Sequence, residues 1–290
     1  MLFIRSSVVV CGLFLITGLS AQMTYGFRAG LSYSKLLGDQ EMDDSGNALD
    51  EYRFASGFHI GFSMNYAITD LFGLRGEVIF TQRGTEYKYD GDSYYFLSRR
   101  TANESVILGR RVEDYNISMA SFDIPVIAYF KLGSFEISGG LTAALISSST
   151  GGGSLDFEGV TQGGAAIDPF RVTLQYNFNK DEAQEASLST IPVRVSGVTL
   201  QTPATVGAYY EFEEKHGNEF KTFDLGITGG LSFYLNEGLY LGGRITYGLL
   251  DANDNQYDIS LYKLGPGNSY IIRSDKDKHL TINASIGFLF

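Results

Sequence analysis

The stretch His279-Leu-Thr-Ile-Asn-Ala-Ser-Ile-Gly-Phe-Leu-Phe290 decides the fold. Leu280, Ile282, Ala284, Ile286, Phe288 and Phe290 fall on one face; Thr281, Asn283, Ser285 and Gly287 fall on the other. Successive residues of a strand point to opposite sides of the sheet, so this period-two pattern is an amphipathic strand. An apolar strand of this length left open to water is an aggregation hazard. In a barrel embedded in lipid the same strand has hydrocarbon on one side and a polar lumen on the other. There it supplies the closing seam.

Seven further segments carry the same alternation: 25–36, 57–68, 72–89, 118–132, 135–147, 220–235 and 239–251. Each is at least as long as the ~9–11 residues a tilted strand needs to cross a bilayer. The clearest is 57–68, where Phe58, Ile60, Phe62, Met64, Tyr66 and Ile68 alternate with small or polar residues. Their connections alternate too. Thr69-Asp70-Leu71, Gly133-Ser134 and Asn236-Glu237-Gly238 are tight turns, whereas 37–53, 90–117, 148–219 and 252–278 are long. Lipid-embedded barrels put short turns at one end and long loops at the other. A soluble sandwich has no reason to do so. The sequence therefore predicts an all-β, antiparallel up-and-down transmembrane β-barrel of eight strands.

Two more alternating stretches, 170–178 and 198–212, leave ten strands as the alternative. The connection between them, 180–197, is far longer than the three tight turns, which favours an external hairpin and a long external insertion at 148–219.

Composition agrees with a barrel. No run of about 20 apolar residues exists to span a bilayer as a helix, and 35 Gly, 19 Tyr and 21 Phe with no Trp suit closely packed strands bounded by aromatic girdles. Tyr66, Phe72, Phe130, Phe135, Phe233 and Tyr240 flank the short turns as an interfacial belt would. At the start of the chain, Arg5 and the apolar run 8–19, followed by Leu19-Ser20-Ala21, read as a secretory signal peptide over 1–21. The barrel domain then occupies 22–290. Cys11 lies in that leader, so a mature chain cut after Ala21 has no cysteine, and neither disulfides nor thiol chemistry. The long connections carry 25 acidic and 13 basic residues, while the strands and short turns carry 8 of each. An acidic outside and a neutral barrel weigh against nucleic acid as a partner.

Four stretches together resemble the PorT-like outer-membrane β-barrel family: Tyr25-Gly-Phe-Arg-Ala-Gly-Leu31, Phe122-Asp-Ile-Pro-Val126, Gly238-Leu-Tyr-Leu-Gly-Gly-Arg-Ile-Thr-Tyr-Gly248 and the terminal strand. The resemblance covers both ends and most strands, but not 148–219. It implies an eight-stranded barrel in the outer membrane of a Gram-negative bacterium, with outer-membrane lipid around it. The family's namesake is associated with protein secretion across that membrane. The terminal strand also resembles the signal read by the barrel-assembly machinery, with Ser285 where a glycine is common.

Side-chain chemistry is sparse. The inward faces are predicted to hold Arg28, His59, Arg75, Glu77, Asp123, Glu136, Asp224 and Arg244. Eight strands leave an interior just wide enough for side chains, so these charges must pair. They read as a lumen polar network, a plug; the competing reading is a narrow polar path. Enzymes on small barrels use histidine with acidic partners at the rim. Here His279 with Asp251, Asp275 and Asp277 is the one such grouping, and the reading adopted is solvated loop charge and no enzyme. The segment Asp39-Gln-Glu41-Met-Asp43-Asp44-Ser-Gly46-Asn47 loosely resembles a calcium loop but lacks the spaced terminal glutamate. No cofactor is expected, and a loop-bound divalent cation ranks behind a solubilising acidic loop. Phe157, Phe170, Tyr176, Phe178, Tyr209 and Tyr210 in the insertion are candidate loop contacts for a protein partner or surface ligand.

Overall fold

Residues 22–290 are described by a computed structural model; the expected signal peptide and Cys11 lie outside them. The barrel strands are β1 (Gln22–Leu37), β2 (Asp50–Ala67), β3 (Phe72–Leu97), β4 (Ser105–Leu132) and β5 (Phe135–Thr161). Between β5 and the rest of the ring come four short strands: β6 (Phe170–Asn177), β7 (Thr190–Val195), β8 (Val198–Pro203) and β9 (Thr205–Val206). The ring resumes with β10 (Phe223–Tyr234), β11 (Leu239–Gly248) and β12 (Lys278–Leu289). The order is β10-β11-β12-β1-β2-β3-β4-β5, and β5 pairs with β10 to close eight antiparallel strands. The terminal strand is the seam the sequence predicted. It pairs with β1 from Gly26↔Leu289 to Leu37↔Lys278.

The eight-strand reading holds and the ten-strand alternative does not. β6 pairs with residues 150–157 of β5, above the point where β5 leaves β10, and its far edge meets only β9. The segment 198–212 supplies β8, which pairs with β7 as a short hairpin, then β9 and turns. Neither stretch joins the ring.

In the lower part of the ring, polarity is reversed relative to a water-soluble protein. Phe62, Val78, Val126, Ile137, Leu231 and Ile286 project outward and are exposed. Ser63, Glu77, Thr81, Asp123, Thr228 and Asn283 point inward and are buried. Only hydrocarbon makes such an exterior favourable.

The structure departs from the sequence reading above this belt. Residues 90–117 were expected as a loop. Instead β3 and β4 run on as a paired ribbon to Leu97↔Ser105, leaving only a tight connection at 98–104. β3, β4 and β5 have 26, 28 and 27 residues, more than twice the crossing length. On β3 the two faces exchange character without a break. Below Arg83 the outward residues are Phe72, Leu74, Val78 and Phe80; above it they are Glu86, Lys88, Asp90 and Asp92. The inward residues change from Arg75, Glu77, Thr81 and Arg83 to Tyr87, Tyr89, Tyr95 and Leu97, all buried. The wall rises from lipid into water, and its apolar side turns inward to form an ordinary core.

Two irregularities shift the side-chain parity at this level. A β-bulge sets two residues of one strand against one of its neighbour. The pairing of β4 with β5 slips between Ser121↔Ile146 and Ala120↔Ser148. Below the slip even-numbered residues of β5 are buried inside, as with Glu136, Thr142 and Ala144; above it odd-numbered ones are, as with Ser149, Leu155 and Phe157. β2 slips likewise between Phe54 and His59.

Candidate functional site

The eight predicted lumen residues are all buried, and the structure brings most of them into three tiers. The tier nearest the short turns is built on Glu136, wholly enclosed. Arg75 donates to both its oxygens at 2.8 Å, and the Tyr234 hydroxyl donates to Oε2 at 2.8 Å. Arg75 also donates to Asn65 and lies over the Tyr129 ring, 4.9 Å from its centroid. In the next tier Arg244 donates to both oxygens of Glu77, at 2.6 and 2.8 Å, with Arg28 as a second cation at 3.5 Å. Arg28 and His59 both reach the Ser285 hydroxyl, and the other ring nitrogen of His59 meets Ser32 at 3.2 Å. The third tier centres on Asp123, bonded to Thr81 at 2.8 Å, Ser121 at 2.9 Å and Arg83.

Arg83 was missed from the sequence although the period-two count from Arg75 and Glu77 runs straight to it. Its inclusion balances the lumen at four guanidiniums (Arg28, Arg75, Arg83, Arg244) against four carboxylates (Glu77, Asp123, Glu136, Asp224). A balanced, hydrogen-bonded set is the arrangement in which buried charge is tolerated. Asp224 is the least satisfied member, its Oδ1 having no partner among the described residues.

Above Asp123 the lumen opens into a second chamber. Cross-strand pairing sets Tyr52, Tyr87 and Tyr115 side by side on β2, β3 and β4. Their rings touch at 5.3 and 5.1 Å, and Tyr115 meets Tyr176 of β6 at 5.3 Å. Tyr176 reaches β4 because the strand between them carries Gly151-Gly152-Gly153. A Cβ at Gly151 would press on Phe178 and Tyr176 at 3.2 and 3.3 Å. This chamber, about 150 Å³, is lined by those four phenols with Arg111, Glu113, Glu219, Asp258 and Arg273.

Its electrostatics differ from the lumen's. Arg273 is shared among Asp50 at 3.0 Å, Asp275 at 3.1 Å and Asp258 at 3.8 Å. Arg111 pairs with Glu113 at 3.5 Å. Glu219 has no ion-pair partner among the described residues; burial, then the Asp258 and Asp277 charges, push its carboxyl up to about 8. Asp258 rises to about 8 through burial and a hydrogen bond with Asp275. Asp277 rises to about 7 through burial and the Asp275 charge. The balance is acidic.

The other predicted groupings do not assemble. His279 is buried, and among the described residues its Nε2 has no partner and no carboxylate pairs with it. Asp277 instead accepts from Asn253 and Asp251 faces Lys221 at 3.3 Å. In the acidic loop Asp43 spends its oxygens on its own turn, accepting from the Ser45 and Asn47 amides at 2.8 Å, while Asp44 pairs with Lys263 at 2.8 Å. Among the described residues no group of three or more His, Cys, Asp or Glu is arranged to hold a metal ion. Phe157, Phe170, Phe178, Tyr209 and Tyr210 lie in the core of the extension and Tyr176 is half-buried. The exposed aromatic surface expected of them is replaced by an interior one: β5 and β6 form wall and turn Phe157, Phe170 and Tyr176 inward, and Tyr209 and Tyr210, in the turn after β9, are buried with them.

An eight-stranded ring, apolar outside and charged inside, defines a transmembrane β-barrel. The outer membrane protein beta-barrel domain family matches over residues 20–254, and the chain belongs to it. Its place is accordingly the outer membrane of a Gram-negative bacterium. The chain is similar to the attachment invasion locus protein Ail of Yersinia pestis, solved with the heparin analogue sucrose octasulfate: 13% identity, 93% of this chain, 99% of that chain, TM-score 0.36. It is also similar to Neisserial surface protein A, with 12% identity, 92% and 98% coverage and TM-score 0.35. OprG from Pseudomonas aeruginosa gives 11% identity, 93% and 97% coverage and TM-score 0.35. At such scores the assignment rests on the family match and on the strand ring. No curated protein matches significantly.

Proposed function

We propose that this protein is a non-enzymatic binding barrel: a closed membrane anchor carrying an external chamber that takes up a ligand or partner. The observation that carries this reading is the contrast along the barrel axis. Bidentate ion pairs cross the lumen at membrane level, and a lined space opens above them. Catalysis has no support from His279, which lacks an acidic partner among the described residues. The proposed division is a leader over 1–21 and a barrel over 22–290 whose 148–219 segment builds much of the chamber wall.

The test is native co-purification with the full chain and with a chain lacking 150–197. The shortened chain is expected to keep heat-modifiable barrel migration, because the ring strands below Ile146 are intact, and to lose capture. Unchanged capture overturns the proposal.

A second reading follows from the four PorT-like stretches, the finer placement within the family. It is a transport role, either a narrow channel or a component of an outer-membrane protein secretion apparatus. Planar-bilayer conductance separates the two readings. The plugged lumen is expected to be silent, and steady single-channel steps would favour transport.

A further inference from the structure

The external chamber has a chemistry more specific than its size. Its walls are phenol faces: Tyr52, Tyr87, Tyr115 and Tyr176 form one continuous aromatic surface with ring centroids 5.1–5.3 Å apart. The hydroxyls of Tyr52, Tyr115 and Tyr176 donate to no protein group among the described residues, so the polar rims of the wall are free. The lining cations are already engaged, Arg111 by Glu113 and Arg273 by Asp50 and Asp275. Glu219 also lines this space and forms no ion pair among the described residues. An aromatic wall offers the negative face of its rings to a positive charge, an attraction that strengthens as water is excluded. A half-buried carboxylate without a counter-ion lacks that same thing.

We infer that the chamber binds a small organic monocation, an alkylammonium or quaternary ammonium group, seated between Glu219 and the tyrosine wall. A cavity of 150 Å³ accepts a body of benzene size, about six to eight heavy atoms. An anion is disfavoured by the surplus carboxylates, and a fully apolar guest would leave Glu219 unpaired. A hydrated divalent ion gains nothing from ring faces, and among the described residues no group of three or more His, Cys, Asp or Glu is arranged to hold a metal ion. The inference rests on the binding reading above and names the ligand class for it.

The experiment is calorimetric titration of the full-length folded barrel in detergent micelles, above the Glu219 pKa of about 8. The probes are choline and its neutral carbon isostere, in which a tert-butyl group replaces the trimethylammonium. Choline is expected to bind, and the isostere to bind about tenfold more weakly or worse. Glu219→Gln and Tyr115→Leu should each weaken choline by a similar factor while heat-modifiable migration is retained. If the isostere binds as tightly as choline, charge selection is wrong and the inference falls. Absence of choline binding overturns it, as does unchanged affinity in Glu219→Gln. If Tyr115→Leu fails to fold, Glu219→Gln alone decides. The broader reading fails on a different result, unchanged native capture after loss of 150–197, so the two failures are distinguishable.

Discussion

The lower and upper halves of this barrel are made from the same strands and obey opposite rules. Along β3, lipid meets Leu74, Val78 and Phe80 while Arg75, Glu77 and Thr81 are enclosed; a few residues higher, water meets Glu86, Lys88 and Asp90 while Tyr87, Tyr89 and Tyr95 are enclosed. Backbone pairing is continuous across the change. The ladder therefore does not record which solvent surrounds it; only the side chains do. The halves also differ in charge. Below, four guanidiniums balance four carboxylates, with Glu77, Asp123 and Glu136 held in ion pairs. Above, carboxylates exceed cations around Arg273, and a space remains.

The comparison can be broken most forcefully in the lumen. Glu77→Ala leaves Arg28 and Arg244 enclosed without an anion, and removing one partner of a buried ion pair costs about 3–5 kcal/mol. Urea unfolding in lipid vesicles, followed by heat-modifiable migration, should show a loss of that size. A loss below about 1 kcal/mol would mean that these charges are hydrated and the lumen is open.

The outward faces give the next largest contrast. Val126 stands in the middle of the apolar belt, and a lysine at mid-membrane costs about 2–4 kcal/mol. On the same strand Asn116 faces water above the belt, where a surface change stays within about 0.5 kcal/mol. Equal effects of Val126→Lys and Asn116→Lys would show that both positions meet the same solvent.

A smaller effect confined to the upper half is expected at Gly153. A Cβ there would strike the Asp114 carbonyl and the Tyr115 side chain. Overpacking of this kind costs about 1–3 kcal/mol. Gly153→Ala should speed limited proteolysis of the extension while barrel migration stays unchanged. Faster unfolding of the whole barrel would show that the two halves are one cooperative unit.

The smallest effect is a pH dependence of the upper half. Glu219, Asp258 and Asp277 have proton affinities raised to about 8, 8 and 7, against ordinary values of 4.5 and 3.8 for Glu and Asp. The folded state holds these protons longer than the unfolded chain, so stability is full below the ordinary values and falls as pH rises through about 7–8. Protease protection of the extension should decline from pH 5 to pH 8. Glu219→Gln should flatten part of the decline, and a rise in protection with pH would contradict the placement of these groups.

The lower half was legible in the sequence because a single period-two pattern, one phase per strand, states both the strand and its membrane face. Terminal seam, short turns, ring count and all eight lumen residues follow from it, and Arg83 was available to the same count. The upper half was not legible for three reasons that act together. The apolar face switches sides near Arg83, so a search for outward apolar residues stops there. Bulges near Ser147 and between Phe54 and His59 shift the parity. Gly151-Gly152-Gly153 reads as a flexible loop, yet it is the strand on which aromatic rings rest. The six aromatic residues of the insertion stand out as a group in the sequence, but solvent exposure is a property of neighbours, and their neighbours are non-local.

The sequence by itself determined the anchor: an antiparallel eight-stranded barrel, its orientation of long and short connections, and an interior of charges that must pair. These follow from alternation and loop length, which are local. Only the tertiary structure decided that the wall continues into water, that Arg273 is shared among three carboxylates drawn from β2 and the last long connection, and that Glu219 faces a tyrosine-lined space. Such features depend on register between strands far apart in the chain. Register is set by packing and bulges, so no single segment records it.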